Sequence, residues 1–279
     1  MDFIFFSRFL NSPLDFNLTK YYNLFIMKIK SVIFDLDNTI YNYDYAHEIA
    51  FGALCEYAGR MFGVSKDEFR ALHRQAMEEQ LARTGYECAA IHSRLIRYQI
   101  ILEYLRQPYD LAPDMLNSYW PVFLQNLRPE PGIRDCLINL KRENYILGVG
   151  TNMTADYQYE KLKRLDMARL FDFLVTSEEV NSEKPDAKIF QYCAKKAGFP
   201  ESQCAFVGDS FAHDITGARN AGMIPIWYCP AFDDHPASGN IGKENAAWTD
   251  TKRPNTIPDG VFLLRHFADL PALLRKINI

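Results

Sequence analysis

Short apolar runs that end in polar residues recur along this chain, and their recurrence constrains the fold more tightly than any other feature. The first is Val32-Ile33-Phe34, followed at once by Asp35-Leu36-Asp37; others fall at 145–152, 171–177, 204–210 and 223–229. Consecutive apolar residues, in place of strict alternation, suit strands buried on both faces, as in a parallel sheet. Between the runs, the apolar spacing predicts helices over 155–165, 186–197 and 215–221. Strands alternating with helices read as βαβ units, so the expected core is α/β, a doubly wound, Rossmann-like parallel sheet covered on both faces. A last strand near 261–264 and a closing helix over 270–277 complete it. The loop-rich stretch 230–260 before them is expected to be an exposed excursion that carries no chemistry.

Residues 42–127 break the alternation. They read as four helices, over 45–61, 66–82, 91–105 and 114–127, with Pro121 a candidate kink in the last. Ser65 and Glu68 have the spacing of a capping box, and Thr84-Gly85 ends the second helix. An all-helical block between the first strand and the rest of an α/β core predicts an inserted cap domain; the alternative is extra helices packed on the same core. At 279 residues the chain is long enough for a core and a smaller domain. The expected division is an N-terminal extension over 1–27, a core from 28–41 and 128–279, and a helical cap over 42–127. The extension is expected to be dispensable, because Met27 stands directly before the first strand and the residues upstream have no clear pattern.

A net charge of -4 gives no basic face with which to track a nucleic-acid polymer. The six cysteines form no C-x-x-C pair, which suits reduced, buried thiols and a cytoplasmic protein. The apolar stretch at 3–6 is far short of the roughly 20 residues a membrane span needs. No membrane association is expected.

In open α/β sheets, ligands bind beyond the carboxyl ends of the strands. Four of the expected strands deliver polar residues at that end or in the loop that follows. They are Asp35-Leu36-Asp37-Asn38-Thr39, Thr151-Asn152, Lys184-Pro185, and Gly208-Asp209-Ser210 with Asp214. Each alone reads as a turn, a cap or a surface charge; the convergence is the signal.

On these residues the chain resembles the haloacid dehalogenase-like hydrolases. The matching features are the D-x-D-x-T run at 35–39, Thr151 after an apolar strand, the Lys184-Pro185 pair and the acidic motif Gly208-Asp209 with Asp214. The likeness spans roughly 28–277, and the helical insertion is similar to that family's small cap. The stretches 176–190 and 206–223 look similar to its nucleotidase-like and phosphoglycolate-phosphatase-like branch. The resemblance also makes the break at Arg83-Thr84-Gly85-Tyr86 a candidate substrate loop.

The residue types carry the chemistry that the resemblance implies. A carboxylate can attack phosphorus directly, so Asp35 is the candidate nucleophile and would form an aspartyl-phosphate. Asp37 would protonate the leaving alcohol and later take a proton from water. Carboxylates beside a phosphate need positive charge, so magnesium is expected, held by Asp35, the Asp37 backbone carbonyl and Asp209. Lys184, the Thr151 hydroxyl and an Asn152 N–H would bind the phosphate, with Asp214 and Ser210 in support. Of the histidines only His213 is expected near the chemistry. His92, Arg94 and Arg97 could meet an anionic substrate, but a solvated helix face is the expectation.

The expected function is therefore a magnesium-dependent phosphatase acting on a small-molecule phosphate monoester, nucleoside monophosphates included, as monomer or homodimer. A phosphosugar mutase, which would need a bisphosphate activator, and a non-catalytic binding protein on the same fold are the alternatives.

Overall fold

Ser31-Val32-Ile33-Phe34 forms the first strand (β1) in a computed structural model that describes residues 28–85, 88–230, 254 and 256–278. All four residues are buried, Val32, Ile33 and Phe34 as their unbroken apolar run requires and Ser31 with its hydroxyl donating to Ile146 O at 3.0 Å. The others are β2 (Ile146–Thr151), β3 (Phe173–Thr176), β4 (Cys204–Gly208), β5 (Ile224–Tyr228) and β6 (Phe262–Leu264). They form one parallel sheet in the order β3-β2-β1-β4-β5-β6. The expected strands are all present.

Successive side chains on β1 point to opposite faces. Val32 and Phe34 join a core with Leu137, Leu140, Phe267 and Leu270, whereas Ile33 joins Ile189, Phe190 and Phe206. Helices therefore cover both faces. On one side lie α5 (Ile133–Arg142) and α10 (Leu270–Ile277); on the other, α8 (Ala187–Ala197) and α9 (Thr216–Asn220). Helix α5 was not expected, although Ile133, Cys136, Leu137 and Leu140 recur at helical spacing and are its buried residues. Helix α6 (Ala155–Arg164) follows β2, and a single turn, α7 (Ser177–Val180), follows β3. The helix expected over 215–221 is preceded by a wide π turn, Phe211–Ile215, whose first N–H groups include His213 N bonded to Ser210 Oγ at 3.2 Å.

Between β1 and α5 stand four helices: α1 (Tyr43–Phe62), α2 (Lys66–Thr84), α3 (Arg94–Leu105) and α4 (Ala112–Gln125). The fold is thus a doubly wound parallel sheet with an inserted helical cap. The Ser65–Glu68 capping box is formed in both directions. Helix α3 begins later than expected, because a 3-10 turn (Ala89–His92) precedes it and Ser93 caps it by accepting from Ile96 N at 3.4 Å. Helix α4 runs through Pro121. The two ends of the insertion meet side by side: Asn42 N donates to Arg128 O at 3.0 Å and Glu130 N to Ile40 O at 2.9 Å.

The six cysteines form no disulfide. Among the described residues, no helix is long and apolar enough to cross a membrane. The N-terminal extension and most of the stretch 230–260 lie outside the described residues.

Candidate active site

Phe34 pairs with Val149 of β2 and Val207 of β4, so the carboxyl ends of three adjacent strands are level. Here, beside β1, the strand order reverses direction, the place where such sheets open a crevice. Asp35 extends the ladder by donating its N–H to Val207 O at 2.8 Å. Its buried carboxylate meets the Lys184 ammonium, which donates to Asp35 Oδ1 at 2.5 Å, Asp214 Oδ1 at 2.7 Å and Gly150 O at 3.2 Å. Lys184 belongs to the loop after α7, and Asn152 pins that loop. Asn152 Oδ1 accepts from Lys184 N at 2.8 Å, and Asn152 Nδ2 donates to Lys184 O at 3.3 Å.

Asp209 follows β4. Its N–H donates to Thr39 Oγ1 at 3.1 Å, and Thr39 Oγ1 donates to Asp209 Oδ1 at 3.1 Å, joining the turns after β1 and β4. Asp214 stands over the end of β4, where Ser210 N donates to its Oδ2 at 3.0 Å. Gly208 makes that position possible, because a Cβ there would come 2.3 Å from Asp214 Oδ2. Carboxylate oxygens of Asp35, Asp209 and Asp214 all lie within 4.8 Å of one another.

This density of acid has electrostatic consequences. Burial, with repulsion from Asp214 and Asp37, overcomes the attraction of Lys184 and pushes Asp35 up to about 7. Burial and the charges of Asp214 and Asp35 push Asp209 well above the carboxylate range. Lys184 is pulled down by burial, but its contacts with Asp214 and Asp35 outweigh that and raise it. One ammonium does not neutralise the three carboxylates.

Asp37 turns to a different partner. Lys161 on α6, fully buried, donates to Asp37 Oδ1 at 2.8 Å and Oδ2 at 3.0 Å, and the Tyr41 hydroxyl also donates to Oδ1. The Thr151 hydroxyl accepts from Gln158 Nε2 at 2.7 Å. The same nitrogen is 3.5 Å from Asn152 O, and with the amide in this orientation the Thr151 proton is free to donate. Lys161, Tyr41 and Gln158 were absent from the expected site. Tyr41 and Lys161 are buried around Asp37, and Gln158 lies one turn before Lys161 on the same helix.

A cavity of about 210 Å³ lies between the strand ends and the helical insertion. Asp35, Asp37, Thr151, Asn152, Lys184, Asp209, Ser210 and Asp214 all line it, so the expected site residues are brought together without exception. Two expectations need correction. Arg94 and Arg97 are not on a solvated face: each is 8% exposed and lines the cavity from the cap side. His47 and His92 line it as well as His213. In the suggested substrate loop, Arg83 pairs with Glu79 and Glu103, and Tyr86 lies outside the described residues.

The chain is similar to proteins of known kind. Over 71% of its length, and 84% of the relative's, the chain is 33% identical to a glyceraldehyde 3-phosphate phosphatase of Methanothermobacter thermautotrophicus. It is 29% identical to a pyrimidine 5'-nucleotidase of Escherichia coli over 72% of this chain and 86% of that one. Among solved structures, a 2-haloacid dehalogenase from Pseudomonas syringae superposes with a TM-score of 0.66 at 25% identity, covering 89% of this chain and 99% of the other. The family model for haloacid dehalogenase-like hydrolases matches residues 32–227, from within the first strand to the fifth, and the chain belongs to that family of enzymes.

Proposed function

We propose that this chain hydrolyses a small-molecule phosphate monoester in two displacements, with Asp35 as nucleophile and magnesium as cofactor. The observation that carries the reading is the buried Lys184 ammonium held between Asp35 and Asp214, with Asp209 alongside, at the strand ends. Relatives named as phosphatases and a nucleotidase support the reaction class.

The donor set fits a hard divalent cation. It is all oxygen, and burial together with mutual repulsion disfavours the charged forms of Asp35 and Asp209, which such an ion would offset. Asp35, the Asp37 backbone carbonyl and Asp209 would hold magnesium, which when bound keeps the carboxylates ionised and neutralises charge on the phosphate.

The protein's own groups then do the following. Asp35 attacks phosphorus, the bond to the leaving oxygen breaks, and the phosphoryl group rests on Asp35 as an acyl phosphate. Asp37 gives its proton to the departing alkoxide and takes one back from the water that cleaves the acyl phosphate. Thr151, its hydroxyl oriented by Gln158, donates to a phosphate oxygen. Lys184 adds fixed positive charge, and Asp214 and Asn152 keep it there. Transfer of a phosphoryl group demands mainly positioning and charge neutralisation, and this arrangement supplies both.

The test is turnover of p-nitrophenyl phosphate and a panel of alkyl phosphates with magnesium or excess EDTA, joined to rapid-quench mass analysis of the protein. Wild type should accumulate phosphate on Asp35, Asp35→Asn should have neither turnover nor phosphoenzyme, and EDTA should stop the reaction. Phosphate found on Asp37, or full turnover in EDTA, would overturn the mechanism.

A further inference from the structure

The cap wall of the cavity carries two buried positive charges that no acid answers. Arg94 and Arg97 are one helical turn apart on α3, and among the described residues neither lies within ion-pair distance of a carboxylate. Their partners are neutral. Arg94 Nη2 donates to the Tyr43 and Tyr119 hydroxyls at 3.0 and 3.1 Å, and its guanidinium stacks on the Tyr119 and Trp120 rings. Arg97 donates through Nε to Gln80 Oε1 at 3.0 Å and through Nη2 to Ile91 O at 3.3 Å. Nε and Nη1 of Arg94 and Nη1 of Arg97 have no partner among the described residues. None of these nitrogens is a fully buried orphan.

Burying a cation without a counter-charge is costly, and setting two side by side adds repulsion. Burial and the Arg94 charge together lower Arg97 to about 10, whereas at Arg94 burial is outweighed by the Tyr119 and Tyr43 hydroxyls, which raise it. A purely structural role explains this poorly, since neutral side chains could fill the same space at less cost. The acids across the cavity do not serve as partners. Asp35 and Asp214 are held by Lys184, Asp37 by Lys161 and Asp209 by Thr39, while the buried Glu183 pairs with His92 at 3.0 Å. The cavity is thus bipolar, with the reacting centre on one wall and a rigid pair of guanidinium forks on the other.

We infer that the preferred substrate is a small phosphate monoester bearing a second oxyanion, carboxylate or phosphate, which Arg94 and Arg97 bind while the ester phosphate sits at Asp35. The inference rests on the phosphatase reading and narrows it to a substrate class. Planar guanidinium groups with free N–H donors match oxyanions of this kind, and Lys would not reproduce the fork. The cavity volume of about 210 Å³ suits a short carbon skeleton between the two anions.

Three esters of one three-carbon chain test it: 3-hydroxypropyl phosphate, the corresponding phosphorylated propanoate, and propane-1,3-diyl bisphosphate. Wild type with magnesium should favour at least one dianionic-ended ester over the hydroxyl ester by roughly 10- to 100-fold in kcat/KM, the size expected of a buried charged hydrogen bond. Which of the two wins identifies the oxyanion. In Arg97→Gln and Arg94→Gln that ratio should collapse toward one, and in Arg97→Lys it should fall only in part. Melting curves establish that each variant is folded, and wild type against Arg97→Lys decides the matter where a Gln variant is not. A wild-type ratio near one, or a ratio unchanged in folded Arg97→Gln, overturns the inference and leaves the phosphatase reading standing. No turnover of any phosphate ester overturns both.

Discussion

Replacing Lys161 by methionine tests how Asp37 is held for proton transfer. The ammonium is fully buried and grips both Asp37 oxygens, whereas the Asp37 side chain is 26% exposed. Removing one partner of a fully buried ion pair costs about 3 to 5 kcal/mol, because the other charge is left stranded. Here the surviving carboxylate is partly hydrated and keeps the Tyr41 hydroxyl, and the lost lysine is one whose pKa burial holds down. The folding penalty should therefore be smaller, about 1 to 2 kcal/mol. In a chain of this size that is a drop of roughly 2 to 8 °C in Tm. The effect on turnover is bounded above by the whole contribution of a general acid–base, roughly 10² to 10⁴. Loss of aim alone should cost about 10- to 100-fold in kcat on alkyl phosphates. On p-nitrophenyl phosphate, whose leaving group needs no proton, the first displacement should be nearly unaffected, so a burst of nitrophenolate precedes a slowed steady state. Because Lys161 acts through Asp37, the losses in Lys161→Met and Asp37→Asn should not add in the double variant. Additive losses, or an equal loss in the burst and on both ester types, would refute the reasoning.

Other outcomes follow from the same geometry. Gly208→Ala should lower kcat by at least about 100-fold, because the added Cβ displaces Asp214 from Lys184; activity near wild type in a folded variant would contradict the contact. Asp209→Asn should raise the magnesium concentration for half-maximal activity strongly, as read from a metal titration of turnover. His47, held down to about 3 by burial and by Arg94, Arg97 and Arg70, stays neutral in the fold while an unfolded histidine takes up a proton from about pH 6.5 downward. Its contribution to stability is complete above that pH and falls as pH drops toward 3, by about 2 kcal/mol at pH 5. Melting temperature against pH should fall over this window, and His47→Asn should flatten the slope.

The strand ends were legible because their logic is local: an apolar run closes a buried strand, and the polar residues after it have one place to go. Asp35, Thr151 and Asp209 are of that kind, whereas Lys184, in the loop after α7, was marked by its motif. Lys161 had neither signal. It stands in the charged run Glu160-Lys161-Leu162-Lys163-Arg164, where residue type alone does not separate it from solvated neighbours, and only the packing of α6 beneath Asp37 buries it. Gln158 is hidden for the same reason. The arginines of α3 carried a readable signal that charge obscured. Arg94, Arg97, Tyr98 and Ile101 follow helical spacing along one buried face, so the pattern put the two cations inward while their side-chain type argued for solvent. Helix α5 was equally readable from its spacing, and the turn at Gly132, with φ 77°, marks its start.

The paired segments at 40–42 and 128–130 have a consequence for how such a chain changes over generations. Because the two ends of the insertion bond to each other where they leave the sheet, the core meets the same short hairpin neck however much polypeptide lies beyond it. Lengthening a closed loop adds only about (3/2)RT ln n to the entropy of closure, so the helices beyond the neck can grow, shrink or be exchanged at little cost to the sheet. The reacting carboxylates are anchored on one side of that neck and the paired guanidinium groups on the other. Selection can then rewrite which molecule is recognised through those helices, while the neck keeps their point of attachment to the sheet unchanged.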